Sequence, residues 1–265
     1  AVLDAWLGGI PDLDAAERAA AEAALLSSPA WGLTEADRRR SLERARWLSR
    51  GLTALALSAG LWALIYPRPY GLSMGTLAAV QVVAMAALLL GRKRFLVQRA
   101  KNDPRPDLSG PLLFPGCAMS FRVVCDLTTV DWEWALAGAV ACGLVLVAAI
   151  CAGDWPARRR SLLDLVFALI FSAGGCLFAG NALLDRSEPE VFETVVREKF
   201  VSTNGRRHEL VLAPFGPVVA PTSPGVSPAV HGAVAVGDVV CVDLYPGALG
   251  LRWFSGARPC SQPRR

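Results

Sequence analysis

The chain has 265 residues, of which 53% are hydrophobic and 19% charged, with a formal net charge of +4 and a mean hydropathy of +0.39. Soluble domains carry about 25% charged residues, so this composition argues against an ordinary soluble enzyme. Two histidines leave little material for His-based metal or acid–base chemistry. The basic residues flank apolar runs, a pattern that suits anionic lipid head groups rather than nucleic acid.

Taken from the start, Asp12, Asp14 and Glu17 open a helix that runs through alanines to Leu26, and Ser27, Ser28 and Pro29 stop it. Thr34-Glu35-Ala36-Asp37 has a capping-box pattern, and its helix is expected to continue through Arg50 into the first apolar run. Arg38, Arg39, Arg40, Arg44, Arg46 and Arg50 crowd this helix, with Leu42 and Trp47 among them. Such a surface could lie on anionic lipid, bind a partner, or simply be solvated. Some 45 charged, helix-like residues precede the run, which is therefore not expected to be a cleavable signal peptide.

A membrane span needs roughly 20 mostly apolar residues at about 1.5 Å each. Four runs qualify, at about residues 48–66, 72–91, 134–153 and 162–184. A fifth stretch, 108–127, has the length but contains Pro111, Pro115 and Arg122. Arginine at mid-bilayer costs about 2.5–3.5 kcal/mol, although Arg122 lies close enough to Leu127 to snorkel. The placement of basic residues decides between four spans and five. Arginines 38–50 and the group from Arg92 to Arg105 put the N-terminus and the second link in the cytoplasm, leaving only Arg68 outside. Five spans return Arg158, Arg159 and Arg160 to the cytoplasm, whereas four would leave them outside. The expected organisation is a cytoplasmic helical head (1–47), a membrane region (48–185) of five spans, with four as the alternative, and a small β domain (190–260) outside the cytoplasm.

After Asp185 the pattern turns to period two. Residues 191–203 alternate as a strand, Asn204-Gly205 is a hairpin signal, and 208–213 is the returning strand. A proline-rich loop (214–228) reads as irregular; 234–244 and 249–254 read as further strands. An antiparallel open sheet or small barrel of the OB or SH3 kind is expected. Cys241 and Cys260 could form a disulfide there, or Cys241 could simply be packed; Cys117, Cys125, Cys142, Cys151 and Cys176 fall in apolar segments as small hydrophobes.

The stretches DLTTVDW (126–132), NALLDRS (181–187) and VGDVVCVDLYPGALGLRW (236–253) carry a resemblance. Over residues 90–260 the chain resembles a group of uncharacterised bacterial multi-pass inner-membrane proteins with a small C-terminal β domain. The resemblance implies an inner-membrane location and no particular activity or site residue. The β domain also looks like membrane-tethered OB domains.

No phosphate-binding glycine loop, Cys-x-x-Cys or nucleophile motif occurs, and no cofactor is implied. His208 and His231 read as surface residues. Polar groups within apolar runs are functional candidates by default: Gln81, Arg122, Asp164 and Asn181. Each also has a structural reading: Gln81 bonding another helix, Asp164 pairing with Arg158–Arg160, Arg122 with Asn181 or with Asp126 one turn on. The leading expectation is a non-enzymatic interaction or scaffold protein, with the lipid bilayer and other envelope proteins or itself as partners and no nucleic acid. A small transporter or channel subunit is the alternative; a third reading is an enzyme at the external face using Asp131, Asp185 or Glu188. Separately, the carboxylates Asp185, Glu188 and Glu190 after the last run could bind cations or simply be solvated flanking charge.

Overall fold

The structure, a computed structural model, describes residues 13–91, 94–97, 103–153, 159–202 and 207–261, with the side chains of 13, 14, 151–165 and 168 outside that description. The Asp12 start, the Asn204-Gly205 turn, the Arg158–Arg160 side chains and the Asp164 side chain all lie outside the described residues.

Helix α1 (Leu13–Ser27) ends at a short 3-10 turn, Pro29–Trp31, whose start is capped by Ser28. Helix α2 (Glu35–Ile65) begins at Thr34, whose Oγ1 accepts the Asp37 N–H at 3.2 Å, and it runs unbroken through position 47. Two further helices follow, α3 (Tyr70–Leu90) and α4 (Ser109–Asp126). The two-residue strand β1 (Thr128–Thr129) then leads into α5 (Trp132–Gly153) and α6 (Arg159–Leu183). Among the described residues, three helices are long and apolar enough to cross a membrane: Glu35–Ile65, Tyr70–Leu90 and Trp132–Ile150 within α5.

Helix α4, which contains Pro115 and Arg122, sits at the centre. It packs against α2, α3 and α6, while α5 rests on α6. The α4–α6 contact is close because small residues meet there: a β-carbon on Gly116 would overlap Ser172, and one on Gly175 would overlap the α4 backbone at Gly116 and Ser120. Enclosure by protein on three sides explains how a helix containing Pro115 and Arg122 is accommodated.

The two ends of α4 belong to different clusters. Leu108 and Leu112 join Trp31, Leu42, Ala45 and Phe95 at the head end. Met119 and Val123 join Ala63, Met74 and the partly buried Tyr70 and Leu127 at the other. The head is fixed to its end of the bundle by Arg46, which pairs with Glu22 at 3.0 Å, and by Ser49 Oγ, which donates to the Asp107 carbonyl at 2.6 Å. The head and the β domain therefore occupy opposite ends of the bundle.

The β domain is an antiparallel sheet curved into a half-barrel. Its strands are β2 (Glu190–Val201), β3 (His208–Leu212), β4 (Gly225–Val226), β5 (Val239–Leu244), β6 (Trp253–Phe254) and β7 (Arg258–Pro259), and five of them line up in the order β4-β3-β2-β5-β7. Alternation sends Val196, Leu210, Leu212, Val240, Val242 and Leu244 into one core with Phe215 and Phe254. Three local readings are corrected. The strand expected over 234–244 is confined to β5, which begins only after a turn at Gly237 (φ +93°). The proline-rich stretch leads into a short helix, α7 (Pro228–Ala233), which Ser227 caps and which starts at a proline as helices favour. The expected 249–254 strand is reduced to β6, because Gly250 adopts φ +76° in a turn. Cys241 and Cys260 form a disulfide that ties β5 to the residue directly following β7.

Candidate functional site

Strand β6 does not join the five-stranded sheet. It pairs antiparallel with β1, Thr128 opposite Phe254 and Thr129 opposite Trp253. The short link between α4 and α5 is thus part of the β domain, and its Val130 packs on that domain's core. Around this joint the three stretches 126–132, 181–187 and 236–253 come together.

On one side, Asp131 accepts the Arg252 backbone N–H at 2.9 Å and Nε at 2.8 Å on Oδ2, while Oδ1 accepts Nη2. This forked geometry fits guanidinium to carboxylate. The Arg252 hydrogen bonds hold the Asp131 carboxyl below the usual carboxylate range.

On the other side, the C-terminal turn of α6 grips the loop before β6. Asn181 Nδ2 donates to the Leu251 carbonyl at 2.8 Å, its Oδ1 accepts the Leu249 N–H at 2.9 Å, and its own carbonyl accepts the Ala248 N–H at 3.0 Å. Asp185 Oδ2 accepts the Gly247 N–H at 2.8 Å and Trp253 Nε1 at 3.2 Å, and its Oδ1 accepts the Ser187 N–H and hydroxyl. Burial alone would raise Asp185, but these hydrogen bonds outweigh it and hold the carboxyl below its ordinary value. Gly247 has φ +81°, and a β-carbon there would lie 2.5 Å from the Asn181 side chain, so glycine alone fits. Tyr245 stacks on Trp253 with ring centroids 4.6 Å apart.

Every oxygen of Asp131 and Asp185 accepts at least one hydrogen bond, and both carboxyls are acidic. A general acid or base works best with a pKa near the operating pH, so the geometry suits a mechanical joint better than proton transfer.

The other sequence candidates lie elsewhere. Arg122 pairs with Asp126, Nε to Oδ2 at 2.7 Å, and not with Asn181. Gln81 is buried in the bundle, where Nε2 donates to Ser172 Oγ at 2.5 Å and Oε1 accepts the Cys176 thiol at 3.2 Å. Asp164 belongs to α6, and its side chain is outside the described residues. His208 and His231 meet edge to face, 5.0 Å between centroids. One group of metal-ligating residues is found among the described residues, Glu193, Cys241 and Cys260, with donor atoms within 4.8 Å of one another. Its two sulfurs are bonded to each other, which leaves one free ligand.

Sequence reasoning singled out Asn181 as a polar residue in an apolar run and Asp131 and Asp185 as external carboxylates, but not as members of this joint, and it named none of the partners they have here. Gly247, Arg252 and Trp253 stand in a stretch that reads as strand and turn, and no local pattern marks them as belonging to the ends of α4 and α6. Compared with protein-family models, with curated proteins and with solved structures, the chain has no match in any of the three.

Proposed function

We propose that this is a bacterial inner-membrane protein with five spans, its head in the cytoplasm and its β domain outside, acting as a non-enzymatic scaffold that presents the β domain to other envelope proteins or to a second copy. The observation that carries the reading is the joint of Asp131–Arg252 and Asn181–Asp185 with the 247–253 loop, which spends the polar groups at this end of the bundle on holding the sheet in place.

Several features support the layout. Five helices lie between two appendages at opposite ends of the bundle, which agrees with an odd number of crossings. Trp47 and Tyr66, both exposed, stand nineteen residues apart on or just beyond α2. That is about 28 Å along a helix, close to the roughly 30 Å hydrocarbon core, with an aromatic residue at each margin. Exposed Trp132 and Trp134 mark the β-domain end of α5. The sheet's outer face carries exposed Val191, Val195, Phe200 and Val239, with Val195 opposite Val239. Exposed apolar groups of this kind suit a protein contact.

The test has two parts. Paired reporters fused after Arg265 map the side of the β domain: activity of the export-dependent reporter is expected, and activity of the cytoplasmic one overturns the layout. A photo-crosslinking residue at position 195 or 239 of the full chain, activated in living cells, is expected to trap a protein or a second copy. Uncrosslinked monomer at both positions overturns the scaffold reading.

A further inference from the structure

The arginines of α2 are not equivalent. Arg38 donates to the carbonyls of Leu26 and Gly32 at 2.8 and 2.9 Å, which closes the α1–α2 corner. Arg39 pairs with Glu35 at 2.8 Å, and Arg46 with Glu22 at 3.0 Å. Arg44 and Arg50 have no ion-pair partner among the described residues, and both are exposed. Between them stands Trp47, 72% exposed. Residues three apart are neighbours on a helix surface, so Arg44, Trp47 and Arg50 form one patch.

That patch continues without interruption into an apolar face of the same helix. Gly51, Ala54 and Leu55 are all exposed, and a β-carbon at Gly51 would meet nothing within 4 Å. The two free guanidinium groups therefore stand where the helix passes from apolar to polar surroundings, on the side facing away from the protein. A tryptophan at this level places its ring among the glycerol and head-group atoms, and the missing side chain at Gly51 leaves room beside it.

We infer that Arg44, Trp47 and Arg50 form a binding site for the head group of an anionic phospholipid, its phosphate held between the two guanidinium groups. The inference rests on the membrane reading given above and narrows it to three residues. Charge complementarity selects the occupant: two unpaired cations at the bilayer surface attract an anionic lipid over a zwitterionic one, and guanidinium matches a phosphate in fork geometry.

The experiment uses the full chain in an uncharged detergent, titrated separately with phosphatidylglycerol and phosphatidylcholine, with bound lipids counted by native mass spectrometry. Wild type is expected to retain phosphatidylglycerol over phosphatidylcholine. R44Q/R50Q is expected to lose that preference, at about fivefold per arginine, or roughly 25-fold for the pair. R39Q/R197Q removes the same charge elsewhere and is expected to keep it. Equal losses in the two variants, or no preference in wild type, overturn the site. Competition by inorganic phosphate or by an acidic peptide at millimolar concentration, with no lipid dependence, also overturns it in favour of that ligand. Resistance to carbonate extraction from phosphatidylcholine vesicles is measured alongside. A chain that carbonate strips away refutes the membrane reading itself, whereas a retained chain without lipid preference refutes only this site.

Discussion

Asp131 and Arg252 are 121 positions apart in the chain, and their forked ion pair closes the contact between the helical bundle and the β domain. The pair lies beside the β1–β6 ladder, where Val130 donates its N–H to the Arg252 carbonyl at 2.9 Å. Backbone and side chain of one arginine are thus both committed to the α4–α5 link. Substituting Asp131→Ala removes the acceptor of three hydrogen bonds. Bonds to charged groups are worth about 1.5–3 kcal/mol, but Arg252 is partly exposed, so a loss of about 1–2 kcal/mol is expected after solvent screening. Thermal unfolding in detergent, followed at the β domain, checks it.

Acid should loosen the same joint. Asp131 and Asp185 both have carboxyls held below their ordinary value. A depressed carboxylate contributes stability that is fully present above the unfolded pKa of about 3.9 and is lost as pH falls through the folded value. Stability is expected to be insensitive to these groups from pH 5 upward and to drop below about pH 4. In D131N/D185N the drop should be shallower, measured as melting temperature against pH.

Gly247→Ala should be costly for two reasons. The backbone there is left-handed, and the added methyl would collide with the Asn181 side chain and the Leu251 carbonyl. Strain of this kind costs about 1–3 kcal/mol. Faster proteolysis within residues 245–253, compared with wild type, is the expected readout. Gly250→Ala is the control: its φ is +76° but its β-carbon would meet nothing within 4 Å, so it should be the milder substitution.

The cystine can be removed directly. Cys241 and Cys260 close a loop with a sequence separation of 19. Chain entropy for such a loop gives about 3 kcal/mol, so C241S/C260S should destabilise the β domain by roughly that amount while the helical signal in circular dichroism is kept.

Gln81 separates the scaffold reading from transport. Its amide joins α3 to α6 through Ser172 and Cys176, and bonds of this kind within bundles average about 0.6 kcal/mol, with a maximum near 1.7. Gln81→Leu is expected to lower stability within that range. Combined with substitution of Arg122, Asp164 and Asn181, it should leave proton leak and solute flux of reconstituted vesicles unchanged. A lost flux would favour the transporter.

Much of the local structure was legible because its signals are local. The Thr34 cap, the stop at Ser27–Pro29 and the period-two alternation of β2 act within a few residues. Ser227-Pro228, which starts α7, was an equally local signal, overlooked within a run of prolines. The joint was illegible for a different reason. β1 is two threonines long, too short for any periodicity, and its partner β6 is more than a hundred residues away. Asn181 and Asp185 stand out as polar residues at a helix end, yet their function is set by a glycine turn whose sequence shows only that the chain bends.

The central position of α4 has a consequence for how the chain is made. Ribosomal synthesis delivers this helix after α2 and α3 but before α6, the neighbour whose Ser172 and Gly175 complete its groove. Until α6 emerges, the flank of α4 bearing Gly116 and Ser120 lacks its cover. The packing of α4 is therefore completed only when later segments arrive, so the second half of the chain finishes the fold of the first.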